Sequence, residues 1–387
     1  MSRLPWTAAA FCLAAQPAAA VALAPGDLVA VLAERQIQRI DRATGALDLI
    51  SQGGIMSTVY GMAFEPSGKL LVLGFSALCS TDPTACGSHL FRVDPADGSQ
   101  TDVVKLDHDP PWAFPFSMSL EPGNRTVVFL PNSDLHRVDL ATGAVTIVAS
   151  IPPSGGVSYG IAVARDGTIY ASDAAAGALY RIDPGSGAVA LVADGLELGA
   201  GFYRAHGIAI DAQGFILGTR YDPPAVLRVD PATGEQTEVA SGGLLDGPTG
   251  ILIDRDGAIW VAEVFADALV RIDPTTGEQR SLALPFIVTG FAMLPYPACS
   301  NGLDDDGDGL IDFDGGILAS IPAALRTAPD PQCGNQASWA SESRARSCGQ
   351  GGELVVLAWA LQARKARRMR AMASSTLSRA LKAESRR

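Results

Sequence analysis

GIAVARDGTIYASDAAAGALYRIDPGSGAVALVA, residues 160–193, decides the fold. Its apolar residues alternate with small or polar ones at period two over GIAV, TIYAS, LYRID and AVALVA, the spacing of strands. Between the first two runs, Arg-Asp-Gly is a tight hairpin. Between the last two, Asp-Pro-x-x-Gly is a turn with a mechanism: Pro presets φ, Asp bonds the following backbone, and Gly accepts positive φ. Four short strands in about 40 residues make one blade of a β-propeller.

The same grammar recurs along the chain. The third-strand phrase appears as IQRIDRATGAL, LFRVDPADGSQ, LHRVDLATGAV, LYRIDPGSGAV, VLRVDPATGEQ and LVRIDPTTGEQ, with its arginine at 39, 92, 137, 181, 228 and 271. The phrase for the first two strands appears as YGMAFEPSGKLLVLG, FSMSLEPGNRTVVFL, YGIAVARDGTIYASD, HGIAIDAQGFILGTR and TGILIDRDGAIWVAE. The chain enters the array with three strands lacking an inner partner, DLVAVLAERQIQRID…ALDLIS, and leaves it with a lone inner strand, VTGFAMLP. Joining the two ends makes a sixth blade and hides the edges of an open array. The expected fold is all-β: a six-bladed propeller over 27–296 closed by N- and C-terminal strands, plus a small calcium-loop module and a short C-terminal helix.

Composition agrees. Only 18% of residues are charged and Gly occurs 41 times, which suits a turn-rich β domain. The net charge of −12 includes a basic C-terminus, nine Lys/Arg against Glu384 from residue 362 onward, so the body is more acidic still. An acidic body gives no reason to expect nucleic-acid binding.

The first 22 residues read as a secretory signal: Arg3, an apolar run around Ala8–Ala15, then an Ala18-Ala19-Ala20 cleavage site. Pro5 and Pro17 argue against a buried helix there. Export to the cell surface or medium is expected, and Cys12 is removed with the signal. Five cysteines remain, and proximity pairs Cys79 with Cys86 and Cys299 with Cys333, although four cysteines allow three pairings.

CSNGLDDDGDGLIDFDGG, residues 299–316, places Asp304, Asp306 and Asp308 at alternate positions, then Gly309, Leu310 and Asp312. Alternate carboxylates can turn onto one cation, Gly permits the bend, and Leu310 offers its carbonyl, as in a calcium loop. Gly315 stands where an EF-hand has its bidentate Glu, so Asn301 and Asp314 are the candidates for the missing oxygens. Residues 297–334 form this expected module, and 335–352 a linker.

The blade grammar resembles the six-bladed propellers of the NHL-repeat, gluconolactonase-like and virginiamycin B lyase-like superfamily. In such folds the site lies where equivalent positions converge at one mouth of the central channel. Two rings qualify here: Tyr60, Phe116, Tyr159, His206, Thr249 and Thr289 before the inner strands, and Gly74, Leu130, Asp173, Arg220 and Glu263 at the ends of the second strands. The gluconolactonase resemblance implies a divalent metal in the channel. The lyase resemblance of TGILIDRDGAIWVAEVFADALVRIDPTTGEQ implies Glu263 as base or metal ligand, with His206 beside it and Asp173 as a further candidate. A second histidine near Glu263 is absent; Phe265 and Ala266 stand there. Tyr60, Tyr159, Arg220 and Thr249 are the candidate ligand pocket.

The Asp-rich segment resembles a module of exported myxobacterial-type proteins, and residues 353–387 resemble their C-terminal sorting signals. That resemblance implies Cys348 as the processed or lipidated residue and membrane contact through the tail, although its eight apolar residues, 354–361, are too few to span a bilayer. The expected function is a monomeric cell-surface scaffold that binds a small molecule or a protein, with a structural calcium site. The alternative is a metal-dependent lactonase-like hydrolase or a lyase with its site at the channel mouth.

Overall fold

The computed structural model describes residues 21–32, 35–106, 117–129, 134–151, 158–173, 176–194, 207–288, 290–295 and 353–354. Six antiparallel sheets of four propeller strands each follow one another around a ring. The quoted stretch forms the third blade as read: Ser158–Val163, Ile169–Asp173, Ala178–Ile182 and Val189–Ala193, from channel to rim. In the sixth blade the C-terminal strand Gly290–Met293 pairs with Leu28–Leu32, which continues to Gln36–Ile40 and Leu47–Gln52. A two-residue strand, Glu353–Leu354, adds to the channel edge of Gly290–Met293.

The turn chemistry is realised atom by atom. In the third blade Asp183 Oδ1 accepts the N–H groups of Gly185 and Ser186 and the Ser186 hydroxyl, and the Gly187 N–H donates to the Asp183 carbonyl. These bonds hold the Asp183 carboxyl below its ordinary pKa, as they do for Asp41, Asp139 and Asp273. Gly187 sits at φ +70°, and a Cβ there would lie 2.2 Å from the Val148 carbonyl oxygen of the second blade. The turn glycine therefore serves both local conformation and blade-to-blade approach.

Among the described residues, four of the six recurring third-strand arginines pair with a carboxylate of their own blade. Arg92 makes two 2.7 Å bonds to the buried Glu65 at the end of its blade's inner strand. Arg137 does the same to Glu121, Arg228 pairs with Asp211, and Arg39 with Asp27. A forked guanidinium suits a carboxylate that has lost most of its water. The third blade has Ala164 at this place, and in the fifth the Asp254 carboxylate accepts the Trp260 indole N–H instead.

Strand alternation sends every second side chain into the gap between blades. Leu71, Leu73 and Leu90 of the first blade pack on Met118, Leu120 and Val128 of the second. The sixth blade closes the ring on both sides. Val29 and Ala292 pack on Met62 and Val72, while Leu28 and Phe291 pack on Leu252 and Trp260. Each such aliphatic side chain contributes ~1.5–3 kcal/mol by leaving water, so the core is a set of gaps and not one central mass.

Candidate functional site

Each second strand runs back toward the mouth where the inner strands begin, and its last residue lands there. Asp173 lies opposite Ser158 and Glu263 opposite Pro248, while Arg220 closes the matching strand of the fourth blade. A solvated ion network is one reading of this trio, but all three are buried, with exposures of 3%, 8% and 1% in the order Asp173, Arg220, Glu263.

Burial has different consequences for each. Asp173 Oδ1 accepts the Ala176 N–H at 3.0 Å. Arg220 donates through Nε to the Pro223 carbonyl at 2.7 Å and through a terminal nitrogen to Glu238 at 3.1 Å, anchoring the turn that follows its strand. Glu263 accepts a single bond, from the Asp246 N–H to Oε2 at 2.8 Å, and among the described residues Oε1 has no partner. Desolvation pushes this carboxyl up to about 8, the Asp246 amide opposing and the Asp246 charge adding to it. At neutral pH Glu263 carries its proton.

The surrounding strands are latched. Thr249 donates its hydroxyl to the Ala262 carbonyl at 3.0 Å, and its own carbonyl accepts the Thr219 hydroxyl of the fourth blade at 2.6 Å. The Gly207 N–H donates in turn to Thr219 Oγ1. Thr249, an expected pocket residue, thus sits beside Glu263 with its hydroxyl turned onto backbone. Tyr60 is 2% exposed and packs among Val127, Leu135 and Ile161, edge-on to Phe75, and burial raises its hydroxyl pKa. Of Tyr159 the structure describes the backbone only.

Four neighbours of Glu263 carried no signal of their own in the sequence: Tyr221, Asp246, Gly247 and Val264. The rings of Tyr221 and Phe265 meet edge-to-face at 5.7 Å, and Val264 packs with both and with Ile287. Gly247 has φ +119°, and a Cβ there would stand 2.7 Å from the Phe265 ring. The Asp-Gly-Pro run at 246–248 is a turn signal, but nothing in it announces a carboxyl partner.

The disulfide expected between Cys79 and Cys86 is present and closes the loop after the first blade's second strand. His206, Phe116, Leu130 and Thr289 lie outside the described residues, as do Asp304, Asp306, Asp308, Leu310, Asp312, Cys299–Cys333 and Cys348.

The opposite mouth holds a cavity of about 750 Å³ between the hairpins around Asp166, Asp211 and Asp256. Its buried carboxylate is satisfied from within: Asp254 accepts the N–H groups of Asp256 and Ala258 and the Trp260 indole. The mouth with an unsatisfied buried acid is the one at Glu263.

A divalent cation of the gluconolactonase kind needs several oxygen or imidazole donors around one point. Among the described residues no three His, Cys, Asp or Glu side chains converge in that way. The chemistry on offer from the described residues is that of the Glu263 carboxyl.

Similarity to known proteins agrees with the architecture. A streptogramin B lyase structure superposes with TM-score 0.51 at 15% identity, over 69% of this chain and 83% of that one. A nidogen/laminin complex structure gives 0.56 at 12% identity, over 69% and 98%. Selenomethionine-substituted virginiamycin B lyase from Staphylococcus aureus gives 0.46 at 19% identity, over 59% and 70%. At these identities the first two likenesses speak for the propeller fold alone. No curated protein matches the sequence. The family model described as SMP-30/Gluconolactonase/LRE-like region matches residues 85–293, more than half of the chain, and the chain belongs to that family.

Proposed function

We propose that this propeller is an enzyme of the lactonase or lyase type whose proton-transfer group is Glu263. The observation that carries the proposal is a carboxyl 1% exposed at a channel mouth, with one amide partner and one oxygen unmatched among the described residues. A buried acid raised toward the working pH is what general acid catalysis requires, and such perturbed groups concentrate at active sites. Held as a neutral acid, Glu263 donates its proton to the leaving oxygen of a bound ester or lactone as water adds to the carbonyl carbon and the C–O bond breaks, and the resulting Glu263 carboxylate takes up the proton that the water releases. The family membership favours this reading over the scaffold expected from sequence.

The test is hydrolysis or ring-opening of a lactone panel by the full-length protein and by Glu263→Gln. Activity that falls above pH 8 and drops at least ~100-fold in the variant supports the acid role. Activity unchanged in the variant removes Glu263 as the acid, and no activity in the full-length protein returns it to a binding scaffold.

We further propose that Asp304, Asp306 and Asp308 hold calcium with Asp312 and the Leu310 carbonyl, and that the chain is exported. The support is the alternate-carboxylate spacing and the signal-like N-terminus.

A further inference from the structure

Resting on Glu263 as the group that meets the ligand, the nature of the ligand follows from what surrounds it. Three classes can be weighed at this mouth: an anion, a polyol and a neutral apolar ring.

An anion needs a cation that is not already engaged. Arg220 is 8% exposed and gives its Nε to the Pro223 carbonyl and a terminal nitrogen to Glu238, and the acids Asp173, Asp246 and Glu263 share the mouth. A polyol needs a partner for each hydroxyl that leaves water. Beside Glu263 the described hydroxyls are turned to backbone, Thr249 to Ala262, Thr219 to Thr249 and Ser172 onto the Gly160 N–H, whereas Ser117 Oγ, at the start of the second blade's inner strand, is buried without a partner among the described residues.

What the described residues beside Glu263 present is apolar and aromatic. Phe265 and Tyr221 stand edge-to-face, Val264 packs against both, and Phe286 is 43% exposed next to Ile287 of the same cluster. The cluster reaches Glu263 through two short links. Val264 follows it directly, and Gly247, whose missing side chain leaves room for the Phe265 ring, follows the Asp246 amide that binds Oε2.

We infer that the ligand of this mouth is a neutral molecule that lays a ring against Phe265 and Tyr221 and presents a carbonyl or ether oxygen to Glu263 Oε1. An aromatic face favours flat rings by offset or edge contact, and a desolvated acid rewards an acceptor over a second charge.

The experiment titrates three probes into the full-length protein at pH 7 and follows binding by ligand-observed NMR. The probes are isochroman-3-one (a neutral ring-fused lactone), glucono-δ-lactone (a polyol lactone) and phenylacetate (a ring with a charge). Isochroman-3-one is expected to bind at least ~10-fold more tightly than either other probe, and Phe265→Ser to lose about that factor, the usual effect of removing a buried aromatic anchor. Phe265→Leu, which keeps apolar bulk and guards against misfolding, should retain an intermediate affinity. Equal or tighter binding of glucono-δ-lactone or phenylacetate, no binding of isochroman-3-one, or an unchanged affinity in Phe265→Ser overturns the inference. The titration of Glu263 in the ligand-free protein is read separately, so the acid role can stand when the ligand class falls, and the reverse.

Discussion

The Asp246 N–H donates a 2.8 Å hydrogen bond to Glu263 Oε2, tying the loop that enters the fifth blade to the last residue of that blade's second strand. The bond joins a backbone dipole to a carboxyl that burial keeps protonated to about pH 8. One amide is too little to compensate an ionised carboxylate in the core, so the proton stays.

Stability should report this proton. A carboxyl whose folded pKa is raised from 4.5 to about 8 binds its proton more tightly folded than unfolded. The unfolded chain releases that proton first, so Glu263 makes folding less favourable as pH rises from about 4.5 to about 8, after which the effect is constant. Urea unfolding of Glu263→Gln across this window should show a smaller loss of stability with pH, by a few kcal/mol in total at pH 8. Parallel curves for the two proteins would mean that Glu263 titrates normally.

The turn glycines separate conformational strain from collision. Gly187 and Gly214 both have positive φ, at +70° and +87°, but only Gly187 faces another blade's carbonyl, whereas nothing lies within 4 Å of a Cβ at Gly214. Gly214→Ala should cost ~1 kcal/mol for the left-handed backbone alone. Gly187→Ala should cost at least ~1 kcal/mol more, since Val148 must move. Equal thermal midpoints for the two variants would contradict the inter-blade role.

The strand arginines and their acids make a second contrast. Glu65 is buried and takes both nitrogens of Arg92, whose side chain is 28% exposed, so Glu65→Ala should cost about 2 kcal/mol, less than a fully buried pair because Arg92 can turn to water. Glu278→Ala, which breaks the exposed pair with Arg280, should stay within ~0.5 kcal/mol. Chemical denaturation decides, and a Glu278 effect as large as that of Glu65 would reverse the ranking.

Most of the fold was legible because its signals are local. The run Asp-x-x-x-Gly, with Pro second in four of its six copies, fixes a turn by chemistry within five residues, and its recurrence after Arg39, Arg92, Arg137, Arg181, Arg228 and Arg271 sets blade after blade. Even the shared sixth blade follows from counting strands at the two ends. Glu263 was reachable through its position in the repeat and a family resemblance. Its state was not, because burial and Asp246, which set it, come from the packing of a loop that belongs to no period. Tyr60 illustrates the limit from the other side. Repeat position put it on a ring of candidates, whereas the register shift between Val59 and Gly61 accompanies a side chain packed in the core cluster of the second and third blades.

The Asp-rich segment offers an independent check. Calcium in the purified full-length protein, measured by elemental mass spectrometry, should fall by about one ion per chain when Asp304, Asp306 and Asp308 are all changed to Asn, since three of the expected ligands lose their charge. Unchanged calcium would remove the proposed loop site.

The most direct test of the central claim is the titration of the Glu263 carboxyl itself, followed by carbon NMR in glutamate-labelled protein with Glu263→Gln to assign the signal. A midpoint near 8 is the result expected from its burial and its single amide bond. A midpoint near 4.5 would mean that Glu263 is ionised at neutral pH and cannot be the proton donor of this mouth.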